Sequence, residues 1–220
     1  MKKLFVSIIL FAAFGRVSGQ RTIAMNAAGD SLKAFYLSLD VENRWIAGNH
    51  VKWQTGEADK PDATSGNHTH CSAFVAAACK KLNLYVLRPP EHKQVLLANA
   101  QYDWLSGADA SSDGWKPVEG KNVFEAAQVF ANNGSVVIAV CKNPDDSKPG
   151  HAALVMPAEI TRPELERDGP FVIMAGTHNH NKLSLRAGFK SHLAGDWPAT
   201  NIAFYYNTQA LHWPVQQAGN

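Results

Sequence analysis

Two short apolar runs constrain what this chain can fold into more than any other feature. Ser135-Val136-Val137-Ile138-Ala139-Val140-Cys141 is dominated by β-branched residues, and Ala152 to Met156 is a second run of similar character. Both are too short for buried helices and are bounded by turn residues, so each is expected to be a buried strand. Asn143 to Gly150, between them, contains two prolines and reads as a turn. Phe171 to Ala175 is expected to add a third strand and Ile202 to Tyr206 a fourth, with a polar excursion from Pro157 to Pro170.

Helical patterns lie mostly upstream. Cys71 to Leu82 is Ala-rich, repeats Phe74, Ala78 and Leu82 at four-residue spacing, and ends in Lys80-Lys81, which suit the negative end of a helix dipole. Thr69 is the expected cap. Val123 to Asn132 reads as another helix, ended by Asn133-Gly134, with shorter ones near Gln94–Trp104 and over Ser31–Leu39 behind Asp30. Residues 54–69 read as a surface loop. Helices first and strands later, with short connections between consecutive strands, predict an α+β domain. Its antiparallel sheet should pack one face against the Cys71 helix. No linker divides residues 20–220, so they are expected to form one domain.

Residues 1–19 read differently. Lys2 and Lys3 precede an apolar run of 11 residues, Leu4 to Phe14, and then the small residues Ser18 and Gly19. That pattern is a secretory signal peptide, and the run is well short of the ~20 residues that span a bilayer. The expected location is therefore exported, periplasmic or secreted, with no membrane attachment after cleavage. The net charge of +2, less the three leader cations Lys2, Lys3 and Arg16, leaves −1 on the remainder. With no Lys/Arg cluster, that balance argues against a nucleic-acid partner.

There are three cysteines, an odd number for an exported chain. Cys71 opens its helix, where free backbone N–H groups favour a thiolate, the form that attacks carbonyls. Cys79 lies in the helix interior and is expected to be structural, with a pairing to Cys141 as one option. His151 starts the second buried strand directly after Pro149-Gly150, a rigid placement for a general base.

Cys71-Ser72-Ala73-Phe74-Val75 resembles the Cys-Ser-Gly-Phe-Val helix start of NlpC-type bacterial cell-wall cysteine hydrolases. Gly150-His151-Ala152-Ala153-Leu154 is similar to their Gly-His-Val-Gly-Ile strand. The element order also matches, and CHAP-type amidases share it. The resemblance, over about residues 45–180, implies a papain-like core in which Cys71 is nucleophile and His151 base. It implies hydrolysis of peptidoglycan amide bonds, with no cofactor. Two departures stand out. His70 replaces the usual Asp before the Cys, and Met174 falls where the residue orienting the base normally stands. The polar candidates on the loop just after that strand are His178, Asn179 and His180; Asn179 is the expected orienter, because Asn serves this role in papain-like triads, with a dyad using a backbone or water partner as the alternative.

Other readings stay open: an acyltransferase or transglutaminase on the same scaffold, or a catalytically degenerate protein that binds cell-wall fragments. A zinc site from His68, His70, Cys71, His178 and His180 is disfavoured, because no His-Glu-x-x-His or Cys-x-x-Cys spacing occurs and zinc would quench Cys71. Gln54 is a candidate oxyanion donor, and Trp45, Trp53, Trp197 and Trp213 are candidate groove residues. Oligomeric state is not readable.

Overall fold

The computed structural model describes residues 21–60, 69–193, 197–198, 201–209 and 211; residues 1–19, on which the expected signal peptide falls, and His68 and Trp213 lie outside the described residues. In chain order the strands are β1 (Thr22–Ile23), β2 (His50–Val51), β3 (Ala58–Lys60), β4 (Trp115–Pro117), β5 (Val137–Cys141), β6 (His151–Val155), β7 (Ile160–Thr161), β8 (Phe171–Met174), β9 (His180–Ser184) and β10 (Ala203–Asn207). The helices are α1 (Ala27–Ser38), α2 (Cys71–Lys81), α3 (Leu97–Leu105), α4 (Ala108–Ser112), α5 (Val123–Asn132), α6 (Arg162–Asp168) and α7 (Leu185–Gly188), with a 3-10 turn at Lys190–His192.

Six strands form one sheet in the order β4-β10-β5-β6-β8-β9, with every neighbouring pair antiparallel. The α+β expectation holds at this level. Every residue of β5 and β6 is buried because both faces are covered, which is why their sequences are unbroken apolar runs. Side chains alternate across the sheet. Ile138, Val140, Ala152 and Leu154 join Phe74 and the α2 alanines on one face. Val137, Ala139, Cys141, Ala153 and Val155 join Ala127, Ala131 and Phe189 on the other.

The α2 helix lies along β6 and is buried from Cys71 through Cys79. Its small side chains allow that close approach. The cap is not Thr69. His70 occupies the N-cap, its side chain makes no capping bond, and its Nε2 meets the Asn49 carbonyl at 2.9 Å. Likewise α1 is capped by Asn26, whose side chain accepts from the Gly29 N–H, rather than by Asp30. Trp45 packs edge-on against Phe74 at 5.2 Å and 75°, so the turn holding Trp45 buttresses the Cys71 helix.

Further tethers are polar. Buried Asn132 donates to the carbonyls of Ile23, Ala24 and Ala158 and accepts from the Ala158 N–H, tying the entry segment and α5 to the chain beyond β6. Asn99 donates to the Lys148 carbonyl and accepts from the Asn143 N–H, holding both ends of the β5–β6 connection. Gly150 closes it. A Cβ there would lie 2.2 Å from the Cys141 carbonyl oxygen, so only glycine lets β6 pair this tightly at its first residue.

Candidate active site

The Cys71 side chain is buried at the first turn of α2. Burial pushes its thiol above the ordinary value, against N–H groups of Ala152 and Ser72 that hydrogen-bond the sulfur and favour the thiolate. The dipole argument from sequence is therefore outweighed here: the resting form is a neutral thiol. The backbone N–H of Ala152, the residue after His151, is the first of the groups that favour the thiolate.

His151 opens β6 and pairs across the sheet with Cys141. Its ring stacks on His192 at 4.9 Å and 15°, and meets Phe189 edge-on at 4.6 Å and 72°. The ring is buried and Nε2 has no hydrogen-bond partner. Burial first, and the neighbouring His192 second, drive its pKa down to about 3, so the imidazole is neutral. Strand alternation sends Ala152 toward α2 and the His151 ring toward Phe189 and Met174. Among the described residues no hydrogen bond joins the thiol to the imidazole. The backbones of the two residues are brought together; their side chains are not yet engaged.

The His151 ring contributes to the wall of a cleft of about 420 Å³ whose other lining residues include Thr69, Met174, His178, His180, Lys190 and His192. Continuing the β6–β8 register, in which Leu154 faces Ile173, sets Gly176 across from His151, so the orienter position has no side chain. A Cβ on Gly176 would lie 2.8 Å from the Met174 methyl and 3.8 Å from His151 Cε1. Met174 fills that space with a thioether and offers the imidazole no strong acceptor.

Asn179 does not orient the base, contrary to the sequence expectation. Its Nδ2 donates to the carbonyls of Val41 (2.8 Å), Arg44 (2.7 Å) and Trp45 (3.3 Å), and its Oδ1 accepts from the Gly176 N–H at 2.9 Å. Both ends of the amide are engaged, which makes it a clamp between the β8–β9 turn and the Trp45 turn.

A Cys79–Cys141 disulfide is also ruled out: all three cysteines are free and buried. Val140 faces α2, so its neighbour Cys141 faces the opposite side, and the sheet separates it from Cys79. Burial holds these two thiols at about 12 and about 11 respectively. Gln54 stands exposed between β2 and β3. Trp45 and Trp53 belong to the core rather than a groove.

His192 and Lys190 were not expected at the site. They arrive on the 3-10 turn after α7, and no local motif announces them. Of the histidines considered for zinc, His70 turns to Asn49, whereas His178 and His180 reach the cleft. Among the described residues no three His, Cys, Asp or Glu are grouped to hold a metal ion. A hollow of about 480 Å³ elsewhere, lined by Phe124, Leu165, Ile202 and Phe204 and by the Arg162–Glu125 ion pair, has no Cys, Ser, Thr or His among its described lining residues. No helix among the described residues is long and apolar enough to cross a membrane. No protein-family model, no curated protein and no solved structure matches the chain.

Proposed function

We propose that this chain is an exported, papain-like cysteine hydrolase that cleaves an amide bond, with peptidoglycan stem peptides as the target. One observation carries the reading: α2, which Cys71 opens, packs on β6, which His151 opens, and Thr69, two residues before Cys71, lines the same cleft as the imidazole. In the reaction the His151 ring leaves its slot and takes the thiol proton as the sulfur attacks the carbonyl. N–H groups free at the first turn of α2 stabilise the oxyanion. His151 then protonates the leaving amine, and water, deprotonated by the same ring, hydrolyses the thioester.

A second reading, a degenerate protein that binds cell-wall fragments without cutting them, is favoured by Gly176 and the Met174 thioether where a polar orienter would face His151, and by the absence among the described residues of a thiol–imidazole bond. Digestion of purified sacculi by the parent and by Cys71→Ser, followed by mass spectrometry, separates the two. The hydrolase releases fragments whose new termini name the bond, and Cys71→Ser loses at least ~10²-fold of the rate. Adding a primary amine tests for acyl transfer. Absence of fragments from every common sacculus type overturns the hydrolase.

A further inference from the structure

The cleft beside His151 has a one-sided chemistry. Among its described lining residues are four histidines, at positions 151, 178, 180 and 192, together with Lys190, Thr69 and Ser191, and no Asp or Glu. Lys190 is exposed and makes no ion pair among the described residues. Glu42, on a neighbouring segment, accepts from the Asn181 N–H and does not line the cleft. A wall of N–H and O–H donors with one fixed positive charge is complementary to an anion with several acceptor lone pairs. A neutral imidazole still donates one N–H, so the wall works without every ring being protonated. The buried, unpartnered His151 Nε2 is an independent sign of unused polar capacity at the same place.

We infer that this cleft binds a carboxylate of the substrate, with Lys190 and the imidazoles of His178, His180 and His192 as its recognition groups, so that the preferred ligand is an acidic peptide. Its placement beside a scissile bond rests on the proposed hydrolase; the binding itself does not. Lys190 supplies the charge and the imidazoles supply direction. The anion-binding wall therefore acts on substrate choice, while Cys71 and His151 act on the bond.

The test uses the full chain carrying Cys71→Ala, which removes turnover, and two blocked dipeptides: acetyl-Ala-Glu with both carboxylates free, and acetyl-Ala-Gln amide. Calorimetry is expected to show the acid binding at least ~10-fold tighter than the amide, with the difference shrinking between about 20 and about 300 mM salt. Lys190→Gln is expected to weaken the acid about fivefold and leave the amide unchanged, with His178→Gln as a second probe of the same wall. Equal affinity for the two peptides, or an acid preference untouched by both variants, overturns the inference. Acid preference without any sacculus cleavage by the parent would retain this inference and remove the hydrolase.

Discussion

Asn179 offers the sharpest discrimination between two roles for one residue. As a clamp, its amide supplies two N–H donors shared among the Val41, Arg44 and Trp45 carbonyls and accepts one N–H from Gly176. That amounts to three full hydrogen bonds in a half-buried setting. At about 0.5–1.5 kcal/mol net for each, Asn179→Ala is expected to cost about 2–4 kcal/mol. For a chain of this size that lowers Tm by about 5–12 °C. Asn179→Asp should be worse than Ala, because a carboxylate facing three carbonyl oxygens offers no donor and adds repulsion. An orienter of the base would behave in the opposite way, since an aspartate can hold an imidazole, and its loss costs ~10²–10⁴ in rate. Thermal unfolding of parent, Ala and Asp forms gives the order of stabilities, and kcat/KM measured well below Tm gives the chemistry. The clamp predicts Asp below Ala in stability and activity within about tenfold of the parent for Asn179→Ala. An Asp variant that melts with the parent and alters only the pH profile of kcat/KM would refute the reasoning.

Two further outcomes follow from the buried groups. Because the three cysteines are free and buried, a chromogenic disulfide reagent should react slowly with native protein and then titrate three thiols in denaturant without added reductant; one thiol would mean a disulfide. The His151 pKa, held at about 3 in the fold, fixes the sign of an acid effect. Below the ordinary value of about 6.5 the unfolded chain binds a proton that the folded ring refuses, so stability is full above that pH and falls as pH drops toward 3. The loss is on the order of 3–5 kcal/mol at the low end. Denaturant titrations of parent and His151→Gln between about pH 7 and 4 isolate it from the carboxylates, because the variant lacks this slope. Parallel curves would show that the ring is not buried neutral.

What the sequence makes legible follows its periodicity. The strands at 137–141, 151–155 and 171–174 and the helix at 71–81 are covered by core on the faces their patterns imply, so local composition and tertiary burial agree. The strand His180–Ser184 is half-exposed at a sheet edge and largely polar, so it carries no apolar signature. The α6 helix is a different case. Thr161 and Glu164 form a capping box with Pro163 in the first turn, a signal present in the sequence but submerged in a stretch that reads as polar excursion. Cys71 and His151 are legible as candidates because each stands at the start of a strongly patterned element. Asn179 is not, because its carbonyl partners lie 134 to 138 residues away in the chain and nothing local encodes them. His192 and Lys190 are hidden for the same reason: only the return of α7 across the sheet brings them to His151.

The same alternation explains the resting state of the site. A two-residue period that turns Ala152 toward α2 must turn His151 away from it, even though the Ala152 N–H acts on the Cys71 thiol. Aromatic contacts with Phe189 and His192 contribute about 0.5–1.5 kcal/mol each beyond simple burial. Against this, the unpartnered buried Nε2 costs about 1–3 kcal/mol, a cost that disappears when the ring reaches a donor or water. These two amounts offset one another, the burial of the ring apart, and His151 is the first residue of its strand, following Gly150. On the proposed hydrolase reading, a neutral thiol and a neutral imidazole without a hydrogen bond between them must be brought together before attack, so the pair is expected to be inactive toward a thiol reagent until substrate is bound.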